Sequence, residues 1–226
     1  MGASRGRVPA HRGAGSRSAR SRPPDHSSDG ASPTAPWWTL GAAVLVWIIL
    51  WYFTPGLHRN GVGALVTDES ASILLESAAA LVILAVLALL HPRRTRMLLA
   101  SNRQLVLYAI PVLLALALPF HYEMPLPLAV YMPWMAVSVL WQDYLTFGLL
   151  QSYLRERFSG LAAVVLVAVV FYAGHAILIP HRFAPPHWLP ALGILAMGVV
   201  FATIRARSGT LHVLLALHLG FYYLFA

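Results

Sequence analysis

The 226-residue chain reads as an all-α protein, a polytopic membrane helix bundle of about seven transmembrane helices. Three observations predict this. Hydrophobic residues make up 58% of the chain and charged residues 11%, where a soluble domain carries about a quarter charged. Apolar runs close to the roughly 20 residues that a spanning helix needs recur along the chain, separated by short polar joints. The arginines gather in alternate joints, as the positive-inside rule requires.

Residues 1–36 are rich in Arg, Ser, Gly, Pro and Ala and hold no apolar run. Such a stretch buries too little surface to offset ordering entropy, so it is expected to be a disordered cytoplasmic tail that can touch anionic headgroups. Organellar transit peptides share this bias, but Asp25, Asp29 and the lack of an amphipathic period count against one. The membrane domain is expected over 37–226, with spans at 37–53, 71–91, 104–120, 128–150, 161–180, 189–204 and 210–226. The joints carry breakers: Pro55 and Gly56, Pro92, Pro125 and Pro127, Gly160, Pro185 and Pro186, Gly209. Trp37, Trp38, Trp51, Tyr52 and Trp188 fall near run ends, where interfacial aromatics belong.

Arginine placement orients this map. With the N-terminus inside, the inner joints hold Arg93, Arg94, Arg96, Arg103, Arg155, Arg157, Arg205 and Arg207, and the outer joints only Arg59 and Arg182. The expectation is an integral protein of a bacterial plasma membrane, N-terminus cytoplasmic and C-terminus outside. The net charge of +8 therefore reports topology, and nucleic acid is not an expected partner. All basic residues are arginine and cysteine is absent, which excludes lysine Schiff-base chemistry, thiolate nucleophiles and thiolate metal sites.

Ionisable residues inside a bilayer are costly and mark function by default. Five qualify: Glu76, Asp143, His175, His212 and His218. At about 1.5 Å of rise per residue, Asp143 lies about 18 Å, His175 about 22 Å and His218 about 14 Å from the nearest inner boundary. Three spans thus place a titratable group in one mid-membrane slab. His212 is only about 5 Å deep by the same arithmetic and is expected to be a satisfied structural histidine. Glu76 is expected to have a structural or pairing role. Phe171 and His175, and His218 and Tyr222, are each four apart and share a helix face.

Gln142-Asp143-Tyr144-Leu145-Thr146-Phe147-Gly148, running on to Leu154-Arg155-Glu156-Arg157-Phe158, resembles the first motif of the CPBP intramembrane proteases, the CAAX-processing and bacteriocin-processing (Abi) family. That motif reads Glu-Glu-x-x-x-Arg-Gly before an amphipathic basic stretch. Phe171 to His175 resembles the second motif, Phe-x-x-x-His. Arg205-Ala-Arg-Ser-Gly-Thr-Leu followed by His218 resembles the third, which closes on His-x-x-x-Asn. The resemblance spans about 128–226. It implies an intramembrane endopeptidase in which Asp143 and His175 activate water and His218 with Tyr222 holds the oxyanion. Phe171 and Phe147 would lie against substrate. The chain departs from the pattern at four places. Gln142 stands at the first Glu, Asp143 at the second, Phe147 at the Arg and Tyr222 at the Asn.

The first functional expectation is thus a CAAX-type endopeptidase cleaving a membrane-embedded or prenylated peptide, with the bilayer and that peptide as partners and no cofactor. The alternative is a catalytically inactive relative that binds a partner protein as a scaffold, motivated by Gln142 and Phe147. Zinc held by Asp143, His175 and His218, with Glu76 as a fourth ligand, is less favoured because no two ligands are close in sequence. A transporter fits poorly, since no inverted repeat is visible.

Overall fold

The computed structural model describes residues 36–56 and 61–226. The expected tail, apart from Pro36, and Arg59 lie outside them. The described chain is all-helical, with no strand among the described residues. In order come α1 (Trp37–Tyr52), α2 (Glu69–Leu90), α3 (Pro92–Leu98), α4 (Ala109–Ala117), α5 (Leu128–Asp143), α6 (Gln151–Arg155), α7 (Gly160–Leu178), α8 (Pro180–Phe183), α9 (Trp188–Ser208) and α10 (His212–Leu224). Short 3-10 helices, Arg103–Tyr108 and Leu118–Phe120, flank α4 and extend that segment over Arg103–Phe120. A π-helical segment, Tyr144–Leu150, joins α5 to α6.

Each predicted apolar run falls on one of these helical segments. Glu69–Leu90, Arg103–Phe120, Gly160–Leu178 and Pro185–Ser208 are long and apolar enough to cross a membrane, while α1 and α10 are shorter apolar helices. Their outer faces carry bare apolar side chains. Val82 and Leu89 on α2 are 65% and 79% exposed, a pattern that suits hydrocarbon as solvent. This is an integral membrane protein.

Local chemistry sets the ends. Asp68 caps α2 by accepting from the Ala71 amide at 2.8 Å, and Ser159 caps α7 through the Ala162 amide at 3.3 Å. Gly209 closes α9 with φ of 75°, a left-handed conformation that a side chain would strain, and its N–H donates to Arg205 O at 3.1 Å. Pro55 and Gly56, just after α1, are tied to α2 and α5. Trp134 Nε1 and Ser138 Oγ both donate to Pro55 O, and Glu76 Oε2 accepts from the Gly56 amide at 2.8 Å. Glu76 has the pairing role expected of it.

The core runs between helices and is strongly aromatic: Trp47, Trp51, Trp141, Phe147, Phe171 and Phe201 are all buried. One close approach organises it. A Cβ on Gly198 of α9 would sit 3.1 Å from Ala168 Cα of α7, so the two backbones meet where α9 offers only hydrogen. Gln151 Nε2 donates to Ala202 O at 2.8 Å, one turn further along α9, binding α6 to the same seam.

Candidate active site

The site begins on α5, at its junction with the π segment. A π turn widens the helix and re-aims the side chains around it, and such turns recur at functional sites. Here all seven residues of the π segment are buried. Trp47 Nε1 donates to Thr146 Oγ1 at 3.0 Å, and Tyr144 shares a 2.7 Å hydrogen bond with Thr95, so the widened turn is held from α1 and α3.

Asp143, the last residue of α5, is fully buried, and its Oδ1 accepts from His218 Nδ1 at 3.0 Å. His218 on α10 is 1% exposed. Its ring lies between Tyr222, stacked at a 5.2 Å centroid separation and 26°, and Phe201 of α9, at 5.2 Å. The four-residue spacing did bring the phenol beside the imidazole. Gln142 lies close enough to the Tyr222 hydroxyl to interact with it.

His175 on α7 is held differently. Its Nδ1 donates to Phe171 O, one turn back, at 2.8 Å. That bond fixes the tautomer and leaves Nε2 as an acceptor in the neutral ring. Trp51, Phe171 and Phe183 contact the ring at centroid separations of 5.4, 4.5 and 5.4 Å.

Gln142, His175, His218 and Tyr222 line one cavity of about 590 Å³, together with Trp51, Thr54 and Arg182. A second cavity, of about 460 Å³, shares Thr54, Gln142, Arg182, Phe221 and Tyr222 with it. The Gln142–Tyr222 pair therefore stands in the wall between the two.

The structure brings four of the expected site residues to one space and sets three apart from it. Asp143 does not line the cavity and pairs with His218; its hydrogen bond is not to His175. Phe171 and Phe147 are both 0% exposed. Neither lines the two cavities; they form an aromatic layer behind the site. Phe147 lies 5.3 Å from Phe171 and 5.7 Å from Phe201 by ring centroids, so the layer runs from beneath His175 to beneath His218. His212 is satisfied on both nitrogens: Nδ1 accepts from the Tyr108 hydroxyl at 3.2 Å and Nε2 donates to Ala100 O at 3.0 Å. Among the described residues, no group of three or more His, Cys, Asp or Glu side chains is arranged to hold a metal ion.

Sequence reasoning missed Trp51, Thr54 and Phe201. Trp51 stands near the end of an apolar run, where interfacial aromatics belong, yet it is 2% exposed and packs on His175. An apolar side chain in an apolar run carries no sign of which helix it will meet. In the sequence Arg182 marks only topology.

A family model described as type II CAAX prenyl endopeptidase Rce1-like matches residues 124–224. No curated protein and no solved structure matches the chain. The matched stretch contains Gln142, Asp143, His175, His218 and Tyr222. Trp51 and Thr54, which complete the cavity wall, come from outside it.

Proposed function

We propose, for a chain that belongs through residues 124–224 to the CPBP/CAAX protease family, that it is an intramembrane endopeptidase acting on a membrane-embedded or prenylated peptide. The observation that carries this is the convergence of Gln142, His175, His218 and Tyr222 on one cavity, with a carboxylate directly behind one of the imidazoles.

The proposed chemistry follows from proton positions. A general base must accept a proton and tolerate the charge that results. With Nδ1–H donated to Asp143, His218 keeps Nε2 as its basic atom, and the imidazolium formed there sits against a carboxylate. Asp143 is then a positioning and charge-stabilising residue, the part a buried carboxylate plays behind a catalytic histidine. His175 has its Nε2 lone pair available but stands among three rings, so it serves better to accept a hydrogen bond from the attacking water than to carry charge. Having no proton on Nε2, it cannot donate to an oxyanion. The Tyr222 hydroxyl and the Gln142 amide can, and they occupy the same cavity wall. This assignment moves the base from the Asp143–His175 pair to His218. On this reading no cofactor takes part, and the chain crosses the membrane seven times with the arginine-rich joints inside.

Gln142 at the first Glu position and Phe147 at the Arg position favour a second reading, an inactive binding or scaffold protein. The two separate by assay. Purified protein in detergent is expected to cleave a farnesylated peptide, and His218→Ala is expected to lower the rate about 10²–10⁴-fold, the usual worth of a general base. Gln142→Glu removes an oxyanion donor and is expected to lower the rate further. No cleavage by the wild type, with activity gained in Gln142→Glu, establishes the inactive reading instead.

A further inference from the structure

Arg182 lies in the short α8 that follows α7, beyond the histidine-bearing part of that helix. It lines both cavities, at the place where they share Gln142 and Tyr222, and its charge acts electrostatically on the Tyr222 phenol. No Asp or Glu among the described residues lines either cavity. Among the described residues, no salt bridge or side-chain hydrogen bond engages its guanidinium; its backbone N–H alone is bonded, to Ile179 O at 3.0 Å. The joined space is therefore apolar and aromatic along most of its wall and cationic at one point. A planar guanidinium with free donors matches a carboxylate in two-point geometry better than any neutral group does.

We propose that Arg182 anchors the free C-terminal carboxylate of the peptide that occupies these cavities. The anchor rests on the peptide-cleaving reading for its placement beside the reactive groups. Arg182 would hold one end of the ligand while Gln142 and Tyr222 face a peptide carbonyl part-way along. It is a specificity-determining residue, not a participant in bond cleavage. The volumes suit a short apolar peptide end, since ligand cavities usually run to about 300–1,000 Å³.

The test uses full-length protein in detergent and two fluorescent farnesylated tetrapeptides, one ending in a free carboxylate and one in a carboxamide. Binding is read by fluorescence anisotropy and cleavage by chromatography. The wild type is expected to bind the acid about tenfold more tightly than the amide. Arg182→Gln is expected to bind both equally, at the affinity of the amide, while Arg182→Lys keeps part of the preference because the charge remains. Both variants should elute and melt as the wild type, since Arg182 is exposed. His218→Ala should lose cleavage and keep the preference for the acid. Equal binding of acid and amide by the wild type, failure to bind either, or an undiminished preference in Arg182→Gln overturns the anchor. So does displacement of the acid peptide by phosphatidylglycerol that depends on Arg182, which reassigns the site to a lipid phosphate. Preference for the acid without any cleavage leaves the anchor standing and removes the endopeptidase reading. Cleavage without the preference does the reverse.

Discussion

His218 and Asp143 form a hydrogen-bonded pair at 3.0 Å, with side chains 1% and 0% exposed and 75 residues apart in the chain. A pair so buried has no solvent to share its charge. Whatever proton His218 takes from the cavity is balanced by the Asp143 carboxylate, whose other oxygen, Oδ2, has no hydrogen-bond partner among the described residues.

Two substitutions at Asp143 should therefore part chemistry from stability. Asp143→Asn keeps the shape but cannot stabilise an imidazolium, and it is expected to lower the cleavage rate by about 10²–10⁴-fold with little change in the melting midpoint. Asp143→Ala leaves the buried His218 Nδ1–H without its acceptor and is expected to cost about 1–3 kcal/mol as well. Thermal unfolding in detergent beside the peptide assay measures both. A fully active Asp143→Asn protein rules out a charge-stabilising role.

Gly56, Met124, Arg182 and Ala226 line the second cavity, and none of them belongs to the arginine-rich joints. If those joints face the cytoplasm, substrate enters from the other side. The chain has no cysteine, so single-cysteine variants report cleanly. Arg182→Cys is expected to react with a membrane-impermeant maleimide added to intact cells, and Arg207→Cys only after lysis. Labelling in the opposite order inverts the topology.

The α7–α9 seam positions His175 and Phe201, and it depends on Gly198. Gly198→Val places a branched side chain where Cβ alone lies 3.1 Å from Ala168 Cα, 3.2 Å from Phe171 Cδ1 and 3.3 Å from Ala168 O. Backbone cannot yield as a flexible side chain does. The expected cost is about 1–3 kcal/mol, with a loss of cleavage exceeding that of an equally destabilised surface variant. Unfolding and activity measured together decide it, and an unchanged melting midpoint shows that the helices can part without strain.

Much of the fold could be read before any coordinates. Apolar runs such as 71–91 and 161–180 fall on α2 and α7 because length and apolarity are properties of a segment by itself. The height of Asp143, His175 and His218 along their helices was equally legible, since helix rise turns residue number into height. Height does not give rotation. The choice of His218 over His175 as the partner of Asp143 follows from how α5, its π turn and α10 are turned about their axes. That depends on packing from α1, α3 and α9 together. The family resemblance pointed to Phe147 and Phe171 as substrate contacts, whereas packing placed them behind the cavity, in the aromatic layer.

The sequence by itself determined which residues are polar within apolar runs, which helices carry them and their height along each helix, because each of these follows from local composition and a constant rise per residue. Only the tertiary structure decided that Asp143 stands behind His218, that Gln142 and Tyr222 share a wall, and that Arg182 meets both cavities. Those relations are contacts between distant helices, and they exist only once the rotation of each helix has been settled by its neighbours.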